Sequence, residues 1–186
     1  MKIAFAARSA VCAIALTLGG CATLPASFTT ENVMKLHDGM GSGEILRMFG
    51  TPKNVSQTVC GANVGRTWNC TTWEYGEFPD RASFTFRTDD GSLVLNNFDV
   101  HRDGRTLPAA FTTENVMKIR QGMGSDEILA MFGAPRSVRQ MVCGTKTDNP
   151  WSCVTWDYGD PPHGSASFMF SLHRGSLVLN NFDVRK

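Results

Sequence analysis

Four cysteines occur in two pairs with the same internal spacing. Cys60 and Cys70 lie ten positions apart, and Cys143 and Cys153 repeat that spacing. In an exported chain such thiols form disulfides, and each would close a loop of about ten residues and contribute about 2–3 kcal/mol in the loop-entropy model. A metal site is the alternative chemistry. We favour the disulfides, because the cysteines form no C-x-x-C motif and have no histidine at a suitable spacing.

Cys21 has a different sequence context, which favours covalent lipidation. A basic start precedes the apolar residues 9–18, as in an export signal, and this run is too short for a membrane-spanning helix. The run ends in Leu18-Gly19-Gly20-Cys21, which resembles the lipobox of bacterial lipoproteins. The resemblance implies that residues 1–20 are a lipoprotein signal peptide and that Cys21 is acylated. An ordinary secretory signal cut near Ala22 is the alternative.

The charge of the remaining chain argues against nucleic-acid binding. Lys2 and Arg8 lie in the signal peptide and are two of the 18 basic side chains, which leaves 16 against 17 acidic ones. A phosphate-binding protein normally has a basic surplus or a basic run. Ala22, not Asp, follows the lipidated cysteine, so the resemblance also implies a lipid anchor in the outer membrane, facing the periplasm.

The chain after the signal is a tandem duplication. Residues 23–35 return almost unchanged as residues 106–118, a shift of 83 positions. The shift becomes 84 after Pro79 and Pro161, so the extra residue lies in a surface loop. We predict five segments: a signal peptide at 1–20, a lipidated cysteine and short tether at 21–27, a first repeat at 28–102, a linker at 103–110 and a second repeat at 111–186.

The duplication also argues against an enzyme. The histidines are His37, His101, His163 and His173. Each matches a different residue type or a gap in the other repeat, and none forms a repeated pair with a carboxylate or thiol. The matched Asp99 and Asp183 suit a strand-end contact better than catalysis. We therefore assign no catalytic residue, no metal site and no cofactor, and a hydrolase is the least favoured alternative.

Each repeat begins with helical signals and continues with strand signals. A threonine can cap a short helix that ends at Gly39, and a second helix begins near Ser42 and ends at Gly50. From Lys53 onward, polar and apolar residues alternate as in strands with one face toward a core. We therefore predict an α+β fold of two tandem domains. Each has two helices on an antiparallel sheet of three or four strands and contains one disulfide.

The alternating pattern also identifies a buried face. The predicted core of the first repeat is Val33, Met40, Ile45, Met48, Phe49, Trp73, Tyr75, Phe84, Phe86, Leu93, Leu95 and Phe98. Asn96-Asn97 interrupts the alternation in the last strand, which predicts a β-bulge there.

Five short motifs occur in the same order in both repeats. In the first repeat they are Gly39-Met40-Gly41-Ser42, Phe49-Gly50-Thr51-Pro52, Trp73-Glu74-Tyr75, Phe84-Thr85-Phe86 and Gly91-Ser92-Leu93-Val94. They resemble the SmpA/OmlA domain of BamE-like outer-membrane lipoproteins. The resemblance implies helix–helix–sheet domains and a role in envelope maintenance or outer-membrane protein assembly through protein contacts.

A tandem pair of such domains, each with an internal disulfide, has a second resemblance. It is similar to the secreted β-lactamase inhibitory proteins, which hold an enzyme on a concave sheet surface. This implies an inhibitor-like or ligand-sequestering binding protein as the alternative function. Both resemblances imply a binding protein, since duplication builds a larger continuous surface than one domain supplies.

Trp68 and Trp151 are the candidate protein-binding residues. Each lies two positions before a cysteine, so in a regular strand it shares that cysteine's face, opposite to Trp73 or Trp156. On a face open to water, these indoles and the neighbouring threonines would form a contact patch. The alternative is that each indole covers its disulfide. The expected partners are the membrane, through the lipid anchor, and an envelope protein, with the outer-membrane assembly machinery as one candidate.

Overall fold

Eight antiparallel strands form one continuous sheet in this structure, a computed structural model that describes residues 23–61, 67–144 and 150–185. In chain order the elements are α1 (Thr30–Met34), α2 (Ser42–Phe49), β1 (Asn54–Cys60), β2 (Trp68–Glu77), β3 (Asp80–Asp89), β4 (Ser92–His101), α3 (Thr113–Val116), α4 (Ser125–Phe132), β5 (Ser137–Cys143), β6 (Trp151–Gly159), β7 (Ser165–His173) and β8 (Ser176–Arg185). The strands follow one another across the sheet from β1 to β8. None of the described helices is long and apolar enough to span a membrane.

The prediction of two tandem helix–helix–sheet domains is wrong. The last strand of the first repeat, β4, pairs with the first strand of the second repeat, β5, and Val100 lies opposite Val138. One buried apolar cluster contains residues of both repeats, including these two valines. The physical reason is that a strand edge leaves main-chain donors and acceptors unpaired, and the next repeat supplies partners for them.

The helix starts and the ends of α2 and α4 follow the local signals, whereas α1 ends at Met34, before the predicted stop at Gly39. The Thr29 hydroxyl accepts a hydrogen bond from the Asn32 amide at 3.2 Å, and Thr112 caps the matched helix α3 in the same way. Gly50 and Gly133 follow α2 and α4 with φ angles of 82° and 77°, which residues with a side chain rarely adopt. α2 and α4 are short because their start and stop signals lie close together in the sequence.

Most of the predicted core is buried, and Met48, Trp73 and Leu93 are only partly so. Phe28, the first residue after the predicted tether, packs its ring 4.3 Å from Phe49. Phe28 therefore packs the chain just before α1 against the core of the first repeat.

The expected bulge is present in both repeats. Thr85 lies opposite Asn97 but Phe86 lies opposite Leu95, so Asn96 is an extra residue in β4. The register of β7 and β8 shifts at the matched position. The bulge keeps the apolar residues on both sides of it on the buried face.

Both predicted disulfides are confirmed. Cys60 is bonded to Cys70 and Cys143 to Cys153, and the Cα atoms are 5.9 Å apart in each pair. Each disulfide links two neighbouring antiparallel strands near the loop that connects them. Cys21 and the predicted signal peptide lie outside the described residues, so both the signal and the lipidation stay predictions.

Removal of one disulfide should weaken the sheet. For the double variant Cys60→Ser with Cys70→Ser, we expect the free energy of unfolding to fall by about 2–3 kcal/mol, because the unfolded chain regains loop entropy. Urea denaturation of the oxidised protein measures this change. A wild-type midpoint that is identical with and without reductant would show that the disulfides contribute nothing.

Candidate binding face

In the part of the chain that the structure describes, helices cover one face of the sheet and leave the other uncovered. Phe49 of α2 packs 5.3 Å from Phe84 of β3, and Phe132 of α4 packs 5.7 Å from the matched Phe168 of β7. Residues that alternate with these phenylalanines point to the opposite side. We call that side the uncovered face. In the described residues it is lined by Ser56, Thr58, Trp68, Thr72, Glu74, Arg81, Ser83, Thr85, Asp99, Arg139, Met141, Trp151, Thr155, Asp157, Ser167, Met169 and Asp183.

The uncovered face is continuous across the two repeats. At its centre Arg139 of β5 lies opposite Asp99 of β4, and its guanidinium lies 3.0 Å from the carboxylate of Asp157. Arg139 and Asp99 are both exposed. Opposite charges from the two repeats therefore meet in the middle of this surface, which is polar and close to neutral there.

Trp68 and Trp151 both lie on the uncovered face, as their spacing from the cysteines predicts. Trp68 is opposite Cys60 in the β1–β2 ladder, and Trp151 is opposite Cys143 in the β5–β6 ladder. Both indoles are half-buried. The Trp68 Nε1 is buried and has no hydrogen-bond partner in the described part of the chain. Each indole thus lies next to its disulfide while part of it faces solvent.

Two methionines on this face were missed by the sequence analysis. Met141 is 42% exposed and lies on the same face as Trp151, and the Met169 Sδ lies 3.9 Å from the Cys143 Sγ. The matched residues of the first repeat are Thr58 and Thr85. The second-repeat half of the face is therefore more apolar, and methionine suits adaptable binding surfaces. The period-two alternation contains this signal, because Met141 precedes Cys143 by two positions.

Matched hollows lie on the two halves of the face. The first, of about 290 Å³, is lined by Glu74, Arg81 and Asp99 among others. The second, of about 320 Å³, includes Arg139 and Asp157 in its lining. Each places carboxylates beside a guanidinium, which suits a partner that presents both donors and acceptors. Both hollows have room for several side chains of a partner protein.

His101 sits where the two repeats join. Its Nε2 lies 3.2 Å from the Arg136 guanidinium, which donates to a neutral imidazole. Burial lowers the pKa of His101, the positive charges of Arg136 and Arg81 lower it further, and Asp99 and Asp160 oppose the shift. The imidazole is therefore neutral in the folded protein near neutral pH.

The lowered pKa of His101 predicts a pH dependence of stability. The unfolded chain takes up a proton at His101 near its ordinary pKa of 6.5, whereas the folded protein takes it up only at lower pH. The free energy of unfolding should therefore decrease as the pH falls through 6.5. His101→Gln should remove this part of the pH dependence. Denaturation at pH 7.5 and 5.5 measures it, with the exposed His163→Gln variant as the control. Equal slopes in wild type and His101→Gln would refute the prediction.

The matched acids Asp99 and Asp183 both lie on the uncovered face. Asp183 makes a surface ion pair with Arg185 at 2.7 Å. In the described ranges no three His, Cys, Asp or Glu side chains are grouped so that they could hold a metal ion.

No protein-family model matches this chain, and no curated protein is significantly similar to it. The resemblance to SmpA/OmlA domains thus stays a prediction carried by the five motifs. The geometry of the uncovered face is the main basis for a functional conclusion.

Proposed function

We propose that this protein is a lipid-anchored binding protein of the bacterial envelope, which holds a protein partner on the uncovered face. The observation that carries the proposal is a single sheet with helices on one side and an exposed, mixed polar and apolar surface on the other. The lipobox at Cys21 supports the outer-membrane location facing the periplasm, and the motifs support a role in envelope maintenance or outer-membrane protein assembly.

The size of the face supports a protein as the ligand. Eight strands have seven spacings of about 4.8 Å, so the sheet is about 34 Å wide, and strands of this length extend about 25–30 Å. A stable protein interface buries about 800 Å² on each partner. One repeat alone offers about half of the sheet area, which is less than such an interface needs. The pairing of β4 with β5 joins the two halves into one face of sufficient area.

The tryptophans and methionines are the expected anchors. Aromatic residues and methionine are enriched at the centres of protein interfaces, and their truncation there often costs 2 kcal/mol or more. Trp151 and Met141 together offer such an anchor on the second repeat, and Trp68 offers one on the first. The charged pair of Arg139 and Asp157 would set the orientation of the partner more than its affinity.

An inhibitor-like function is the second candidate. The uninterrupted face across both repeats favours it, because a single soluble enzyme can contact both halves at once. The two candidates differ in where the partner resides. An assembly partner is an envelope component, whereas an inhibited enzyme is a soluble protein.

Capture of the partner from the native envelope tests the proposal. The full-length lipoprotein is crosslinked and purified beside a Cys21→Ala form that is exported with a cleavable secretory signal. Recovery of outer-membrane assembly components only with the anchored form supports the assembly role. Equal recovery of one soluble enzyme with both forms supports the inhibitor-like function and contradicts the assembly role.

Variants connect the captured partner to the face. Trp151→Ala should weaken binding at least about tenfold, and the control Arg47→Ala, on the helix side, should leave it unchanged. Equal affinities of wild type and Trp151→Ala, in a variant that melts normally, would contradict a role of this residue as an anchor.

A further inference from the structure

The two outer edges of the sheet carry the same valine pair that meets at its centre. At the internal junction Val100 of β4 lies opposite Val138 of β5. The matching residues at the outer edges are Val184 of β8 and Val55 of β1. The junction between the repeats is therefore an internal example of how an outer β8 edge and an outer β1 edge fit together.

These valines differ in burial according to their place in the sheet. Val100 and Val138 lie on central strands, and Val184 and Val55 lie on the outer strands. Val138 is 4% exposed, whereas the matched Val55 is 60% exposed. Val100 is 1% exposed, whereas Val184 is only partly buried. The residue type and the position in the repeat are the same in each comparison. The two outer edges therefore expose the valine surface that the pairing of β4 with β5 buries at the centre of the sheet.

In the described residues, the outer main-chain edge of β8 is paired near Leu179 but not along the stretch that matches the junction. In β4, Leu95 pairs with the segment before α2, since its amide donates to the Met40 carbonyl at 2.7 Å. In β8, the Leu179 amide donates to the Met123 carbonyl at 2.8 Å in the same way. Further along, β4 continues its edge by pairing with β5 at residues 99–101. The matching residues 183–185 of β8 pair with no further strand in the described part of the chain.

We propose that the β8 edge of one copy pairs with the β1 edge of a second copy, in the register of the internal junction. Val184 would then lie opposite Val55 of the second copy and Asp183 opposite its Ser56. Ser56 stands where the junction has Arg139, and Asp183 keeps Arg185 as its ionic partner at 2.7 Å, so no like charges meet at these two positions. Such a head-to-tail contact forms rings or chains of copies and extends the uncovered face from one copy to the next.

Thiol crosslinking in the native envelope tests this contact. The full-length chain with Val55→Cys is co-expressed with the full-length chain with Val184→Cys, and a short bifunctional maleimide is added. Opposite residues of antiparallel strands have Cβ atoms about 5 Å apart, well within its reach. Val142→Cys with Val184→Cys is the matched control, because Val142 is 54% exposed but lies on β5, away from the outer edges. A chain without added cysteines gives the background.

The proposal expects a dimer band for Val55→Cys with Val184→Cys at least about ten times stronger than for the control pair. Equal yields from the two pairs would show non-specific proximity and overturn it. A stronger band from Val55→Cys alone would show that two β1 edges meet instead, which also overturns it. The absence of any crosslinked dimer above background, in variants that keep the wild-type melting temperature, contradicts the contact as well.

Discussion

Phe168→Ala should lower the free energy of unfolding by about 3–5 kcal/mol, because truncation of a buried phenylalanine removes its burial and leaves a cavity. Phe168 is fully buried at 0% exposure in β7. Its ring centroid lies 5.7 Å from those of Phe132 and Tyr158 and 6.2 Å from that of Phe111. It thus contacts residues of α4, of β6 and of the segment before α3.

Urea denaturation followed by circular dichroism measures this loss. Phe78→Ala is the control, since Phe78 is 72% exposed and its truncation should change stability by less than about 0.5 kcal/mol. The repeats share one buried cluster, so Phe168→Ala should shift a single transition of the whole chain. Equal losses from the two variants would contradict the burial of Phe168. Two separate transitions in the wild-type protein would contradict a shared core.

Gly159→Ala should cost about 2–4 kcal/mol, because the backbone and the space at this position both exclude a side chain. Gly159 has a φ of +64°, and an added Cβ would lie 2.4 Å from the Gly164 carbonyl oxygen and 3.2 Å from the Leu107 Cγ. A backbone oxygen at that distance moves only if the β6–β7 connection moves. Gly76 is in the matching situation, 2.2 Å from the Asp80 carbonyl oxygen.

Gly43→Ala is the matched control and should have the opposite sign. Gly43 lies in the first turn of α2, and an added Cβ would have no neighbour within 4 Å. Alanine is the better helix former by up to about 1 kcal/mol, so this variant should be as stable as wild type or more stable. Thermal melting of the two variants checks the pair. Equal melting temperatures of the Gly159→Ala and Gly43→Ala proteins would show that the β6–β7 connection is not rigid.

Local structure was largely predictable from the sequence, and the arrangement of the repeats was not. Threonine caps, the bulge at Asn96 and the two disulfides depend on residues close in the chain or on a simple alternation. The pairing of β4 with β5 depends on which strand edges meet, and no residue type in residues 99–101 specifies that. Val55 and Val138 show the limit well, because the same residue in the same pattern is exposed at one site and buried at the other.

The candidate site was likewise predictable in its local features but not in the features that depend on the arrangement of the repeats. Alternation alone placed Trp68 and Trp151 on the disulfide face, and the register confirms that placement. The same alternation contains the signal for Met141, whereas the central position of Arg139 and Asp157 depends on the pairing of β4 with β5. When the sequence is interpreted as two separate domains, there is no shared sheet with a centre at which these residues would meet.

Site-specific photocrosslinking tests the central claim of one binding face across both repeats most directly. A photoreactive residue is placed at Ser83 and at the matched Ser167, both on the uncovered face, and at the matched and exposed helix-side positions Arg47 and Ala130. We predict that Ser83 and Ser167 crosslink to the same partner protein in the native envelope and that Arg47 and Ala130 do not. Crosslinks to that partner from the helix side, with none from either serine, would contradict the account.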